Sequence, residues 1–333
     1  MADPCFPGSD APYQLSYFTS SVSAILTILI TTGNFLIIFA IAKDPLKKLR
    51  NPFAFFLANA AASDLMVGVV AMPVSTVFHY MEAKRSINKT LVYILHLTYF
   101  VSASASLFSM AAMTIDRFYA LKSLSSKRRK LTRRNCILIS VLTWVLAIGL
   151  SVFYFILGYI SLLMVLIHIS LVTTFAITFI TYVKIIRRMR QIKQAFKQSN
   201  PQHLVNGEAT SNQQNATSKP DRHFLRERKV TKVFLSLLIT FLCINIPAMA
   251  FLYFLEFCLS CPCDTRHVFR DLVLCLISTA SATNPVICLL RLPVMRATVF
   301  TLLKCGRRLP LNDSSIQSGD QRRAMQLEGV PKI

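Results

Sequence analysis

The sequence predicts an all-α membrane protein, a bundle of seven transmembrane helices followed by a short amphipathic eighth helix. Of its 333 residues, 53% are hydrophobic and 16% are charged, whereas a soluble chain carries about 25% charged residues. Apolar runs long enough to cross a bilayer recur along the chain. The basic residues behind the net charge of +22 lie in short blocks between these runs. This pattern is typical of cytoplasmic loops and not of a nucleic-acid-binding surface.

Seven spans account for the apolar runs, since a helix needs roughly 20 apolar residues to cross a bilayer. No Asp, Glu, Lys or Arg lies between Arg134 and Lys184. As one helix this stretch would be about 73 Å long, far beyond the bilayer. We therefore expect it to fold back at Gly158, which breaks the helix. The predicted spans are 17–42, 53–80, 90–121, 135–157, 159–186, 229–256 and 268–291.

The basic loops also predict the orientation of the chain in the plasma membrane. The segments after the first, third and fifth spans are rich in Lys and Arg, and such loops stay on the cytoplasmic side. The N-terminus is therefore expected outside and the C-terminus inside. The predicted parts are an extracellular N-terminus 1–16, a bundle 17–291 with a long cytoplasmic loop at about 187–228, an amphipathic helix 292–308 on the lipid surface, and a disordered tail 309–333.

Two modification sites follow from this orientation. Asn88-Lys89-Thr90 is a glycosylation acceptor that faces outward. The similar pattern at Asn215 falls on the cytoplasmic side, where it is not modified. Cys305 stands at the end of the amphipathic segment and is a candidate for palmitoylation.

Polar side chains inside the spans are informative, because each needs a partner or a role in the membrane interior. Asp64 and Ser106 are expected at similar depth, with Asn34 and Asn284 as neighbours. A carboxylate among hydroxyl and amide oxygens is suited to a small cation such as sodium. The alternative is a neutral Asp64 whose hydrogen bonds merely join helices. The candidate ion site comprises Asp64, Ser106, Ser281 and Asn284.

An ordered set of motifs resembles the rhodopsin-like (class A) G-protein-coupled receptors, over about residues 17–305. The motifs are Gly33-Asn34, LANAAASDL (57–65), Asp116-Arg117-Phe118, Trp144, Pro247, and NPVIC with Asn284, Pro285 and Cys288. The resemblance implies a non-enzymatic receptor that passes binding of an extracellular ligand to a heterotrimeric G protein. It implies arrestin and a receptor kinase as further partners, and no cofactor except an allosteric sodium ion at Asp64, Ser106 and Asn284.

The resemblance also assigns an activation switch. Arg117 matches the arginine that acts as a latch, with Asp116 beside it and Glu227 as its acidic partner at rest. An exposed ion pair is worth about 0–1 kcal/mol, which suits an equilibrium that a ligand must tip. The alternative is that Arg117 only reaches lipid phosphates. Further switch positions are Tyr182, Phe241 and Pro247, the last of which kinks the sixth helix.

Several positions depart from the family pattern. Asn245 replaces the usual Trp, Cys288 replaces Tyr, and Phe118 replaces Tyr. Val92 stands where the family has a disulfide cysteine. With a minimal second outer loop and no fifth-span proline, this resembles the melanocortin group and its adenosine, cannabinoid and lysolipid relatives. The departures leave open a receptor-fold protein that does not signal, such as a decoy or partner subunit. A transporter is the weaker alternative, because intramembrane charge is sparse and internal repeats are absent.

Four cysteines fall in segments predicted to lie outside the cell. They are Cys5, Cys258, Cys261 and Cys263. An oxidising compartment favours two disulfide bridges, whose connectivity the sequence alone leaves open. A zinc site with His267 nearby is the rival interpretation.

The ligand pocket is predicted from helical spacing. The third span contributes His96, Tyr99 or Phe100, and Ala103, and the sixth contributes Asn245, Met249 and Leu252. Core packing is the alternative role for each apolar member. His168, Glu256 and Ser278 are expected to add polar contacts. By the resemblance, Tyr99 stands where amine receptors carry Asp, and Ser278 stands where opsins bind retinal. An amine bound at Tyr99 and retinal are therefore both disfavoured.

Overall fold

A computed structural model describes residues 5, 11–47, 49–86, 88–123, 131–199, 218–258 and 260–303. These residues form helices and turns, and this part of the chain contains no strand. The helices, named in chain order, are α1 (Tyr13–Lys43), α2 (Pro52–Ala83), α3 (Lys89–Ser123), α4 (Arg133–Ser151), α5 (Tyr159–Ser199), α6 (Ser218–Phe257), α7 (Cys263–Arg291) and α8 (Pro293–Leu303). We call the end of the bundle that carries Tyr13 the upper end and the opposite end the lower end.

The chain folds as a seven-helix transmembrane bundle, as the sequence predicts. Among the described residues, six helices are long and apolar enough to cross a bilayer, and α5 adds the shorter apolar stretch Tyr159–Thr173. The predicted reversal is confirmed at Gly158, whose φ of +78° lies in the region that favours glycine. A single helical turn, Tyr154–Leu157, precedes it. The connection between α4 and α5 is therefore very short.

Polar residues begin several of these helices. The Asn51 side chain accepts a hydrogen bond from the Ala54 N–H at 2.9 Å at the start of α2, and Pro52 occupies the first turn. Asn88 accepts from the Thr90 N–H at 2.9 Å at the start of α3 and is exposed to solvent. These bonds satisfy backbone groups that have no partner within the helix.

Two helices extend further than the sequence predicts. α5 continues to Ser199 and α6 already begins at Ser218, so helix occupies much of the segment predicted as a loop at 187–228. Lys, Arg, Gln and Met dominate residues 187–199, and all four favour helix. Charged residues end a membrane span without ending the helix. Residues 200–217 and the tail 309–333 lie outside the described residues.

Two glycines allow close approach between helices. α2 contains a π-helical segment, Val67–Ala71, and a Cβ on Gly68 would lie 2.8 Å from the Thr31 backbone nitrogen of α1. A Cβ on Gly33 would lie 3.0 Å from the Pro285 side chain of α7. Small residues at such contacts allow membrane helices to approach closely. α8 packs against α1 and α7 and buries Met295.

Two disulfides at the upper end link the four cysteines that the sequence analysis placed outside the cell. Cys5 bonds Cys263 at the start of α7, with Cα atoms 5.4 Å apart. Cys258 bonds Cys261 in the α6–α7 loop, with Cα atoms 5.6 Å apart. This arrangement leaves none of the four thiols free to bind zinc.

Candidate functional site

A cavity of about 90 Å³ lies at the centre of the bundle, between α2, α3, α5, α6 and α7. It has room for several water molecules. Its polar lining comes from Asp64, Asn245, Asn284 and a series of hydroxyl groups, while α5 and α6 contribute an apolar wall. That apolar wall consists of Leu163, Leu166, Ile167 and Ile244. No Lys, Arg or His is among the described residues that line the cavity.

Asp64 forms the floor of this cavity and is 4% exposed. One carboxylate oxygen accepts a hydrogen bond from the Ser281 hydroxyl at 2.7 Å, and the other accepts from the Asn284 amide at 2.8 Å. Asn34 of α1 donates to the Ser281 carbonyl at 3.1 Å. The structure therefore brings these four predicted polar residues together, and their bonds join α1, α2 and α7.

The residues around Asp64 suit a small cation. Ser106 lines the same cavity, as predicted. The buried hydroxyls of Ser102 and Ser104 also line it, and neither has a hydrogen-bond partner within the described part of the chain. Sequence reasoning missed Ser104, because it lies two residues from Ser102 and helical spacing places it on another face. Hydroxyl and carboxylate oxygens are the ligands that hard cations prefer.

The upper wall contains a tight contact between two predicted pocket residues. The Tyr99 hydroxyl of α3 lies 2.5 Å from the Ser278 hydroxyl of α7. Tyr99 lines the cavity, while Ser278 is fully buried and also donates to the Leu274 carbonyl at 2.7 Å. These bonds connect the middle of α3 to α7 above the Asp64 floor.

Small side chains form the wall between the upper part and the floor. Asn245 of α6 and Ala103 of α3 both line the cavity. Asn245 donates to the Phe241 carbonyl at 2.8 Å, one turn earlier, and Phe241 itself lines the cavity. Pro247 lies two residues further along the same helix.

Comparison with known proteins identifies the architecture. The family model of 7 transmembrane receptors (rhodopsin family) matches residues 33–160 and 157–287 of the chain. The chain belongs to this rhodopsin family. Dopamine receptor 4 of Caenorhabditis elegans is 26% identical over 126 residues, 38% of this chain and 24% of the relative. The human 5-hydroxytryptamine receptor 2C is 27% identical over 133 residues, 40% of this chain and 29% of the relative. The alignments thus span less than a third of these relatives.

The predicted switch residues are described only in part. Asp116 is buried in α3, and Cys288 and Pro285 are buried in α7. Together with Asp64, these two α7 residues line a second cavity of about 20 Å³. The other switch side chains lie outside the described residues, although their backbones belong to α3, α5 and α6. They are those of Arg117, Phe118, Tyr182 and Glu227. Cys305 also lies outside the described residues.

Several predicted pocket residues do not reach the central cavity. Phe100 and Leu252 are fully buried in a hydrophobic cluster with Leu162 and Leu163 of α5, and Met249 packs against that cluster. The short α4–α5 connection explains this packing, because it brings Tyr154 and the start of α5 directly against α3. The alternative of core packing thus describes these three side chains.

Three polar residues that were predicted to line the pocket lie at separate places in the bundle. His96 stacks on Tyr159 with ring centroids 3.8 Å apart and lines a separate cavity of about 30 Å³ near the upper end. His168 contacts the Tyr253 hydroxyl at 2.5 Å, between α5 and α6. Glu256 is exposed near the end of α6. None of the three lines the central cavity.

A buried ionic cluster at the upper end was missed by the sequence analysis. Arg270 of α7 forms two hydrogen bonds to Glu82 of α2, at 2.8 and 2.9 Å, and a third to Asp271 at 2.8 Å. His79 lies 3.1 Å from Glu82, and Thr19 of α1 donates to Asp271 at 2.7 Å. Glu82 is 0% exposed. We call these five residues the upper ionic cluster, and it joins α1, α2 and α7.

Proposed function

We propose that this chain is a multi-pass plasma-membrane receptor that transmits binding of an extracellular ligand to an intracellular heterotrimeric G protein. Membership of the rhodopsin family supports this function. The basic segments at the lower end support an orientation with the N-terminus and upper end outside. Because the alignments cover less than a third of the curated relatives, the ligands in those relatives' names are not transferred.

The observation that carries the proposal is the shared lining of the central cavity. Tyr99, Asn245 and Asp64 belong to three different helices and line one cavity. An occupant that changes the Asn245 contacts acts on α6, where Pro247 removes a backbone hydrogen bond. An outward swing of the lower half of α6 is a hinge-type transition. The ligand has to bind the swung state more tightly in order to favour it.

The lower half of the proposed switch uses Arg117, Glu227 and Tyr182. In the resting state Glu227 holds Arg117. The swing of α6 separates them, and Tyr182 then turns toward the arginine. The proposed role of the freed Arg117 is to meet the G protein. Arrestin and a receptor kinase are proposed as further partners of the same lower surface.

Sodium is the proposed ion at the floor of the cavity. Asp64, Ser106, Ser281 and Asn284 are the residues that would hold it, and it would supply the positive charge that a buried carboxylate needs. Asp64 would position the ion between α2, α3 and α7. We further propose that Asn88 carries a glycan outside the cell and that Cys305 carries a palmitoyl chain beside α8 at the inner leaflet.

Agonist-independent signalling tests the proposal. Wild type, Glu227→Ala and Arg117→Ala are compared across a panel of G-protein reporters at matched surface expression. We expect Glu227→Ala to raise basal output in at least one reporter, because the latch is lost, and Arg117→Ala to abolish it. If all three resemble untransfected cells, a receptor-fold protein that does not signal becomes the better description. The departures at Asn245 and Cys288 favour that second candidate.

A further inference from the structure

We propose that the connection between α4 and α5, residues 152–158, lies within the lipid leaflet at the upper end and contacts acyl chains instead of water. In the proposed orientation this leaflet is the outer one. We call these residues the apolar connection. The membrane contact requires a bundle that spans a bilayer, and it is independent of the proposed coupling to a G protein.

The apolar connection lacks the polar side chains that the α2–α3 connection carries. Its sequence is VFYFILG, and its one polar side-chain group, the Tyr154 hydroxyl, lies 3.1 Å from the His96 Nδ1 of α3. Tyr154 is buried, so this hydroxyl points into the bundle. The α2–α3 connection instead exposes Lys84, Arg85 and Ser86. Connections that project into water are normally built from such polar residues, so the composition of 152–158 favours a lipid environment.

Large apolar side chains form the exposed surface of the apolar connection. Phe155 is 67% exposed, Ile156 is 74% exposed, and Val152 is exposed as well. Ile148 lies one turn before Val152, on the same exposed face of α4. A contiguous apolar surface of this kind marks a site of interaction with a membrane or a protein. Because it continues the face that α4 presents to lipid, the occupant that fits it is the same bilayer.

The backbone of the apolar connection is also suited to lipid. A backbone N–H group in hydrocarbon finds no water, so it has to be bonded within the protein. Six N–H groups here donate to backbone carbonyls three or four residues earlier, at N···O distances of 2.9–3.3 Å; they are those of Val152, Phe153, Phe155, Ile156, Leu157 and Gly158. The Gly158 carbonyl in turn accepts from the Leu162 N–H of α5 at 3.3 Å. The chain therefore reverses direction with these groups bonded internally.

The lengths of α4 and α5 place the apolar connection within the thickness of a membrane. Arg134 and Lys184 are the nearest charged residues on either side of it in sequence, and basic residues stay at the cytoplasmic surface. At about 1.5 Å per residue, a helix rises about 27 Å from Arg134 to Val152 and about 38 Å between Tyr159 and Lys184. A bilayer with its headgroups is about 40–45 Å thick. The connection therefore ends below or among the headgroups at the upper end.

Fluorescence quenching of a single tryptophan tests the membrane contact. Phe155→Trp places the fluorophore in the apolar connection, and Ser86→Trp places it in the α2–α3 connection as the matched control. Both are made together with Trp144→Phe, since Trp144 is the one tryptophan of the chain. The full chain is reconstituted in phosphatidylcholine nanodiscs whose acyl chains are either unmodified or brominated, and acrylamide is the quencher in water. We expect brominated chains to quench Phe155→Trp several-fold more strongly than Ser86→Trp, because bromine quenches on contact, and acrylamide to give the reverse order.

Two results would overturn the membrane contact. Quenching of Phe155→Trp by acrylamide and not by bromine would place the connection in water. Quenching by neither would show that a protein surface, such as a second copy of the chain, covers it. If loss of the 3.0 Å hydrogen bond from Trp144 to Asn59 prevents folding, both variants are made with Trp144 in place and the wild-type emission is subtracted. Either overturning result with normal G-protein signalling leaves the receptor proposal intact.

Discussion

Glycines determine how closely the helices of this bundle approach one another. At Gly68 an added Cβ would meet the Thr31 side-chain oxygen at 2.7 Å and its backbone nitrogen at 2.8 Å. The Thr31 side chain can rotate away from such a Cβ, but the Thr31 backbone nitrogen is held in the helix. At Gly149 of α4 an added Cβ meets nothing within 4 Å. The two glycines therefore have opposite roles, although both lie inside apolar helices.

We predict that Gly68→Ala destabilises the bundle by about 1–3 kcal/mol, because α1 and α2 must move apart. Gly149→Ala is the matched control and should be neutral or stabilising by up to about 1 kcal/mol, since alanine favours helix more than glycine does. Thermal melting of the two purified variants beside wild type measures the difference. Equal Tm values for both variants would contradict the close approach of α1 and α2.

At the residue scale, the sequence predicted contacts between side chains that lie at the same depth in the bundle. The Asp64 bonds to Ser281 and Asn284 were expected, because polar groups within a membrane must find each other. For Phe100 and Leu252, helical spacing left both pocket lining and core packing open, and both side chains pack in the core. Helical spacing gives the face of a helix, but it does not reveal that the short α4–α5 connection covers that face with Tyr154 and α5.

Between elements, the upper ionic cluster and the Cys5–Cys263 bridge hold α7 in place. Glu82 and Arg270 are 188 residues apart in sequence and form a bidentate pair. Buried ion pairs of this kind are weak evidence for net stability, but loss of one partner leaves an uncompensated charge. Phe78 adds its ring beneath the guanidinium at 5.8 Å.

We predict that Arg270→Met destabilises the bundle by about 3–5 kcal/mol, because Glu82 and Asp271 then remain buried without their cation. Arg50→Ala is the matched control. Arg50 lies 3.7 Å from Asp44 and its side chain is 72% exposed, so its loss should cost no more than about 1 kcal/mol. Surface expression and Tm are measured for both variants. A wild-type Tm for Arg270→Met would show that the cluster does not form.

A double-mutant cycle tests which cysteines are bonded to each other. Cys5→Ser and Cys263→Ser should each lower Tm, by an amount equivalent to about 2–5 kcal/mol, and the double variant should lower it no further. Cys5→Ser combined with Cys258→Ser should instead give additive losses, because these residues belong to different bridges. Additive Tm losses for Cys5 with Cys263, together with non-additive losses for Cys5 with Cys258, would show that the bridges connect different cysteines.

The upper ionic cluster was hidden from sequence analysis for a physical reason. Charged residues at the ends of apolar runs normally face the membrane–water boundary, so Glu82 and Arg270 gave no signal of burial. His79 and Glu82 are three residues apart, a spacing that places both side chains on one face of a helix. This spacing was the available signal. Pairing them with Arg270 required the relative rotation of α2 and α7, which no local pattern contains.

For the whole molecule, hydropathy predicted the number of spans, because it acts along the chain, and the direction of the spans stays a prediction. Charge and hydropathy did not predict that α5 continues to Ser199 and that α6 already begins at Ser218. The resemblance to the melanocortin group stays a prediction. Both α6 and α7 line the central cavity of the bundle. This shared lining underlies the proposed signalling role.

Nucleotide exchange on purified heterotrimeric G proteins tests that role most directly. The full chain in nanodiscs is incubated with a panel of heterotrimers, beside empty nanodiscs and the Arg117→Ala variant. The account predicts that at least one heterotrimer exchanges nucleotide several-fold faster with wild type, and that Arg117→Ala removes the acceleration. If no heterotrimer is accelerated by a preparation that melts cooperatively, the chain folds as a receptor but does not signal through G proteins.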